Sequence, residues 1–366
     1  MKFSRQNFPK VLILGGGQLG YMMINEGRRF PLTFYVLDDP STPACRIADK
    51  CFTPEQYREA VDSADVVTFE FEHVKEEALQ YAHDQGKLFP PLESVELKRE
   101  RHKEKLYYRD HGLPTPRFTV VYSGEDVLRV ARDEFNNWAV IKQSRGGYDG
   151  KGQYFLKGSQ EGFESLKESK CTFVVEEYID FDYEASVIFV RDRKGNWSAY
   201  PPTYNLNLKG ILIYNYGPIT DIGFTELARK LAESLNYVGT LGLELMVKGG
   251  KVYINEFAPR VHNTGHYTLD GSLVSQFENH LRAILGMPLG STQVKGFAGM
   301  VNILGTDEVP EEVMTIGRVY WYNKEGVKRR RKVGHVNVVG ESLAEVKSKV
   351  DRIMELVYRN NVADFI

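Results

Sequence analysis

The stretch Gly242-Leu-Glu-Leu-Met-Val-Lys-Gly-Gly-Lys-Val-Tyr-Ile-Asn-Glu-Phe257 decides how the rest of this 366-residue chain is read. Two apolar runs, 242–247 and 252–256, flank the turn signal Lys248-Gly249-Gly250, so the segment reads as a β-hairpin. Each arm carries one acid among apolar neighbours, Glu244 and Glu256, and closing the hairpin brings them near one another. Carboxylates are rarely buried unless they are paired or sit on a metal. Two of them, completed by phosphate oxygens, make the oxygen-only site that suits Mg²⁺. Asn255 adds a neutral ligand for metal or phosphate.

The chain then runs Glu256-Phe-Ala-Pro-Arg260-Val-His262-Asn263-Thr-Gly-His266. Arginine, histidine and asparagine clustered at a strand exit suit a small planar anion such as bicarbonate or carboxyphosphate. Upstream, Trp138 to Lys142 reads as a strand that enters Ser144-Arg-Gly-Gly-Tyr-Asp-Gly-Lys-Gly152, a loop with four glycines. A strand lysine beneath a loop of backbone amides is one way to hold β- and γ-phosphates. No GxxxxGK[ST] element is present, and a surface lysine before a glycine-rich hairpin fits the spacing equally well. The run Val174-Val-Glu176-Glu177-Tyr178-Ile179 is an apolar strand with two acids at its end. It can offer backbone groups to an adenine edge and a carboxylate to a ribose, with Glu184 following on the next strand. Standing alone, these acids would read as an exposed hairpin rim.

At the N-terminal end, the apolar run 11–14 opens into Gly15-Gly-Gly-Gln18-Leu19-Gly20, a helical stretch follows toward Arg29, and the strand 33–37 ends at Asp38. This is the glycine fingerprint of a dinucleotide site, and it supports an NAD-dependent oxidoreductase. The same glycines serve any tight strand-to-helix turn that holds a phosphate-bearing ligand. The oxidoreductase reading leaves Glu244, Glu256 and the Arg260–Asn263 cluster without a role. A third strand, 66–69, leads to Glu70, and the strand–helix–strand order predicts a parallel α/β domain to about residue 99. Helices are expected over 93–111, 224–235, 271–285 and 343–359. Strands are expected over 172–177, 184–191, 296–303, 318–321 and 333–339.

Formal net charge is −2, which supplies no global field for nucleic acid. No run approaches the ~20 apolar residues of a membrane span, and the N-terminus has no apolar core of signal-peptide type. The basic run Lys328-Arg-Arg-Arg331-Lys332 fits either a phosphate-reading loop or a solvated turn. The three cysteines, Cys45, Cys51 and Cys171, are expected to be reduced, small buried side chains of a cytoplasmic protein.

Four elements, in order and across nearly the whole chain, resemble the N5-carboxyaminoimidazole ribonucleotide synthetase family. They are Gly15–Gly20, Gly146-Gly-Tyr-Asp-Gly-Lys-Gly152, Asn255-Glu-Phe-Ala-Pro-Arg-Val-His-Asn-Thr-Gly-His266 and Arg331-Lys-Val-Gly-His335. The resemblance implies an α/β and α+β architecture in three parts. These are a Rossmann-like domain over 1–99, an ATP-grasp domain over 100–290 and a small mixed β domain over 291–366 that closes the substrate site. It implies a usually dimeric enzyme that joins bicarbonate to 5-aminoimidazole ribonucleotide using ATP with Mg²⁺, or Mn²⁺.

Carried over by position, the resemblance implies that Arg101, Lys142, Gly147, Gly150, Gln153, Glu176, Glu177, Tyr178, Ile179, Glu184, Asn207 and Asn255 lie at the nucleotide. Glu244 and Glu256 would hold the metal. Tyr148, Arg260, His262, Asn263 and Lys332 would lie around bicarbonate and carboxyphosphate, with Asp149 beside the substrate amine. Gln18, Leu19, Glu70 and Arg331 would meet the ribonucleotide. Two positions depart from the family pattern: Asn207 stands where it has histidine and Ile213 where it has arginine. The rival readings are another ATP-grasp ligase, such as a formate-using glycinamide ribonucleotide transformylase, the oxidoreductase, and a non-catalytic nucleotide sensor.

Overall fold

The computed structural model describes residues 9–146, 152–359 and 361–366. Three sheets organise them. In the N-terminal sheet, the strands Lys50–Phe52, Thr33–Leu37, Lys10–Leu14 and Val66–Phe69 lie side by side and all parallel. The two central strands are continuous apolar runs because helices cover both faces of a parallel sheet. The helix Gln18–Gly27 packs one face and Tyr57–Ser63 with Glu76–Asp84 the other.

The second sheet is small and antiparallel, in the order Phe118–Val121, Phe173–Glu177, Trp138–Gln143, Gln153–Lys157. The third has nine strands. Its path runs Lys251–Ala258, Gly239–Lys248, Tyr183–Arg191, Thr203–Leu208, Ile211–Gly217, Phe297–Leu304, Lys332–Gly340, Arg318–Trp321, with Trp197–Ala199 pairing off Tyr183–Arg191. This sheet passes without a break from the centre of the chain into its C-terminal part, because Ile211–Gly217 pairs with Phe297–Leu304.

Two expected helices differ in their bounds: one is divided in two and the other starts later. The 93–111 pattern becomes Leu92–Arg99 and Arg101–Asp110, with Glu100 extended between them. The break is made from a distance: Arg101 N–H donates to the Ser144 carbonyl at 3.0 Å instead of continuing the first helix. The 271–285 pattern is realised as Gln276–Ile284, preceded by the short helix Thr268–Gly271, and the Ser275 hydroxyl caps the longer one by accepting from Glu278 N–H at 3.2 Å.

The cysteine expectation is corrected. Cys45 and Cys51 form a disulfide across a Cα–Cα distance of 5.2 Å, and Cys171 is exposed. The bridge escaped a reading by spacing because it is made by the fold. The turn Cys45–Ile47 comes back beside the strand Lys50–Phe52, and both sulfurs lie against the Asp38 carbonyl. Among the described residues no helix is long and apolar enough to cross a membrane.

Buried histidines join the parts. His280 Nδ1 accepts from Thr240 N–H at 3.1 Å, so its proton sits on Nε2, which bonds Thr68 Oγ1 at 2.9 Å. This ring links the N-terminal sheet to the central one. His266 and His335 lie with ring centroids 4.9 Å apart under the C-terminal strands. Burial holds all three below the ordinary imidazole value, to about 3 for His280 and His335.

Two outcomes follow. The unfolded rings titrate near 6.5 and bind more protons than the folded ones below that pH. Their stability contribution is therefore full above pH 6.5 and is lost as pH falls toward the folded values, by about 2 kcal/mol per ring at pH 5. Urea unfolding at pH 7.5 and 5.0 measures this, and an unchanged midpoint would contradict neutral burial. Separately, denatured protein without reductant should show one reactive thiol per chain, Cys171, and three after reduction.

Candidate active site

The hairpin acids face each other: Glu244 and Glu256 are directly paired across the strands Gly239–Lys248 and Lys251–Ala258. Cross-strand partners share a face. One step further the register shifts, so that Leu245 pairs with Ile254 and Asn255 is an extra residue. This bulge turns two consecutive side chains toward one cleft, which a regular strand would send to opposite faces. Asn255 Oδ1 accepts from Lys142 Nζ at 3.3 Å, and Glu256 feels the Lys142 charge.

Burial, Glu256 and Glu184 together push the Glu244 carboxyl well above the usual range. Glu256 is held low: burial opposes its charge, but Lys98, Arg101 and Lys142 outweigh it. Glu184 is also raised by burial and accepts from Asn207 Nδ2 at 3.1 Å. Three acids converging in this way call for a cation. Among the described residues no three His, Cys, Asp or Glu side chains are arranged to hold a metal by themselves. Glu244 and Glu256 would supply two carboxylates and a nucleotide's phosphate oxygens the rest, which is the coordination Mg²⁺ ordinarily takes.

Lys142, buried near the end of Trp138–Gln143, spans the two sheets. Its Nζ lies 3.0 Å from Glu176 Oε2 on the small sheet and 3.3 Å from Asn255 on the large one. Glu176 is not an exposed rim acid. It is 2 % exposed and also meets Lys105 Nζ at 3.3 Å. Burial works against its charge, yet Lys105 and Lys142 hold its carboxyl below the usual range. Burial brings Lys105 down to about 8 although Glu176 opposes this.

Arg101 is buried at the start of its helix, with Nη1 donating to the Gln143 carbonyl at 3.0 Å. Gln153 pairs with Lys142 across the strands. Glu177 is exposed. The backbone N–H groups of Glu177 and Tyr178 are taken by the Arg117 and Trp138 carbonyls, and Ile179 follows at the strand's end. The Tyr178 ring lies between Trp138, 5.9 Å away, and Lys157, 4.8 Å away.

The anion cluster splits. Arg260 clasps Glu72, with Nε at 3.0 Å and Nη2 at 3.1 Å from its two oxygens. His262 is held neutral at about 3 by burial and by Arg260. Its Nδ1 accepts from Thr264 N–H at 3.4 Å, which puts the ring proton on Nε2, and Nε2 lies 3.3 Å from Glu244 Oε1. Lys332 begins its strand close enough to act electrostatically on both Glu244 and His262. Asn263 is not brought to the carboxylates. It forms a reciprocal amide pair with Asn302, at 3.0 and 2.8 Å, and locks the loop to the C-terminal strands. Arg331 donates to the Glu325 and Gly326 carbonyls at 2.5 and 3.0 Å, which ties the basic run to the preceding turn. Gly147, Tyr148, Asp149 and Gly150 lie outside the described residues.

Glu70 occupies the helix N-terminus of the glycine fingerprint. Its carboxylate accepts from Gly17, Leu19 and Gly20 N–H at 2.9, 3.1 and 3.4 Å. A pyrophosphate would need those donors, so this geometry disfavours a dinucleotide there. Gln18 Oε1 instead accepts from Lys324 Nζ, which also donates to the Lys332 carbonyl at 2.8 Å. Sequence reasoning passed over Lys324, Glu72, Lys98 and Lys105. Glu72 stands two residues beyond Glu70, and that alternation was the available signal.

Two facing antiparallel sheets, a lysine between them and paired acids at a cleft define an ATP-grasp ligase. A family model for the ATP-grasp domain matches residues 106–277. Models for the ribonucleotide synthetase preATP-grasp domain and the phosphoribosylaminoimidazole carboxylase C-terminal domain match 8–99 and 298–349. The N5-carboxyaminoimidazole ribonucleotide synthase of Saccharolobus solfataricus is 62 % identical over 355 residues, covering 97 % of each chain. That of Aquifex aeolicus is 48 % identical over 95 % of this chain and 96 % of its own. The crystal structure of the Thermus thermophilus synthetase superposes with a TM-score of 0.87 at 34 % identity, over 95 % of this chain and 98 % of that one. The Aspergillus clavatus enzyme, in complex with ADP and 5-aminoimidazole ribonucleotide, gives 0.88 at 28 % identity, over 96 % and 99 %. The chain belongs to the N5-carboxyaminoimidazole ribonucleotide synthase family.

The buried lysine–glutamate triad gives a direct test of this geometry. Glu176→Gln strands Lys105 and Lys142 without their shared counter-charge and should cost about 3 kcal/mol, read by chemical denaturation. A loss below about 0.5 kcal/mol, the size of a surface substitution, would show that the triad is not formed.

Proposed function

We propose that this chain carboxylates 5-aminoimidazole ribonucleotide with bicarbonate to N5-carboxyaminoimidazole ribonucleotide, at the cost of one ATP, in purine biosynthesis. The observation that carries the reading is the facing pair Glu244 and Glu256, with Lys142 on one side and the Arg260–His262 corner on the other. The ranges 1–99, 100–290 and 291–366 would serve as ribonucleotide-binding, ATP-clamping and closing units of a homodimer. Cytoplasmic placement rests on its soluble substrates, since a disulfide lends no support to a reducing compartment.

Bicarbonate carbon is a poor electrophile because its oxygens donate charge to it. An oxygen of bicarbonate attacks the γ-phosphorus, ADP leaves, and the carboxyphosphate formed carries a phosphate leaving group. The divalent cation held by Glu244 and Glu256 would neutralise phosphate charge. Lys142 and Asn255 would hold the transferring phosphoryl group. Arg260, neutral His262 donating from Nε2, and Lys332 would hold the carboxyl end. The amine nitrogen then attacks the carboxyl carbon, or the CO2 released from it, phosphate departs, and Asp149 accepts the amine proton. Gln18, Leu19 and Glu70 would line the ribonucleotide site, joined through Lys324 to the C-terminal part.

Phosphate release should require both bicarbonate and aminoimidazole ribonucleotide for its full rate. Turnover with formate and glycinamide ribonucleotide, and none with this pair, would favour the rival ligase. Asp149→Asn should lower kcat by at least about 100-fold while leaving ATP affinity within about twofold. A fully active variant would remove Asp149 from the proton transfer.

A further inference from the structure

Among the cations that the proposed reaction does not use, Lys98 directly contacts a proposed metal ligand. Lys98, in the last turn of Leu92–Arg99, places Nζ directly on Glu256 Oε2. Its side chain is 15 % exposed. The helix end that carries it is held in place, because the neighbouring Arg99 donates to the Glu72 and Val74 carbonyls at 2.7 and 2.8 Å. A second acceptor is within reach: Glu104 Oε2 lies 3.6 Å from the same Nζ. Glu104 is itself buried and fixed, its Oε1 accepting from Tyr108 OH at 2.6 Å and Phe257 N–H at 3.1 Å.

We propose that Lys98 is a resident cation that takes the divalent metal's place on Glu256 and hands that carboxylate over by swinging to Glu104 as the metal arrives. The inference rests on the reading of Glu244 and Glu256 as metal ligands. Two cations on one half-buried carboxylate repel strongly at low effective dielectric, so metal and ammonium compete for it. The lysine suits this part: it is a compact charge on a flexible four-carbon stem, and Glu104 is an acceptor already built for it. Through its contact with Glu256, Lys98 neutralises one of the converging acids. Lys98 is thus a positioning residue that sets how tightly the metal is held.

The test is Mn²⁺ binding in the presence of ADP, followed by electron paramagnetic resonance, which reads the metal and not turnover. Removing the competitor in Lys98→Gln should tighten Mn²⁺ binding about tenfold or more, while Lys98→Arg, which keeps a cation there, should stay within about threefold of the parent. An unchanged or weaker affinity in Lys98→Gln overturns the proposal. Failure of the parent protein to bind Mn²⁺ with ADP overturns the metal reading itself, and this proposal with it. Should Lys98→Gln not fold, a crystal of the parent with Mn²⁺ and ADP decides. Lys98 Nζ should lie beyond about 3.5 Å from both Glu256 oxygens and hydrogen-bonded to Glu104. Nζ still on Glu256 beside bound metal overturns the exchange.

Discussion

Two carboxylates on adjacent strands cannot both keep a negative charge in a half-buried cleft without help, and much of the surrounding structure answers that constraint. Glu244 and Glu256 are locked opposite each other by strand register, so neither can retreat. Neutral His262 sets Nε2 3.3 Å from one of them. Lys98 bonds the other, and Arg101 and Lys142 act on it through space. Each of these partners comes from a different element, so the hairpin recruits the helix pair, the small sheet and the following loop to one point.

The small sheet depends on the same arrangement through Lys142. Its Nζ is shared between Glu176 on one sheet and Asn255 on the other. The two sheets are therefore tied directly to each other by one buried ammonium group. Nucleotide phosphate entering there would replace one set of charge partners by another, leaving the lysine's total coordination similar.

The sequence revealed this site unevenly, for physical reasons. The hairpin acids were visible because an acid set between apolar residues on each arm is driven toward the interior and must find a counter-charge there. The bulge at Asn255 was not, since one extra residue leaves no trace in an alternating pattern. Lys98, Glu104 and Lys105 were hidden in a charged helical stretch whose composition reads as a solvated face. They are buried because Ser144, far along the chain, ends one helix and starts the next. Asn263 sits in the segment that suggested an anion, yet its partner Asn302 belongs to a strand no local pattern connects to it. Glu70 stands out in the sequence as an acid after a strand, but only the packed structure shows it seated on the backbone donors of the glycine turn. Three strands of the parallel N-terminal sheet were legible as short, mainly apolar runs, whereas the three-residue edge strand Lys50–Phe52 was too short to leave a pattern.

The unbroken nine-stranded sheet has an implication for how such a protein can be taken apart or recombined. Strand Ile211–Gly217 has Phe297–Leu304 as its neighbour on one side, so a chain ending near residue 290 would expose a long bare ladder edge carrying Tyr214 and Tyr216. Bare ladders of that kind recruit other chains. The C-terminal segment is thus less a detachable module than a protective border, and swapping it between homologues would succeed only where the donor restores that seam.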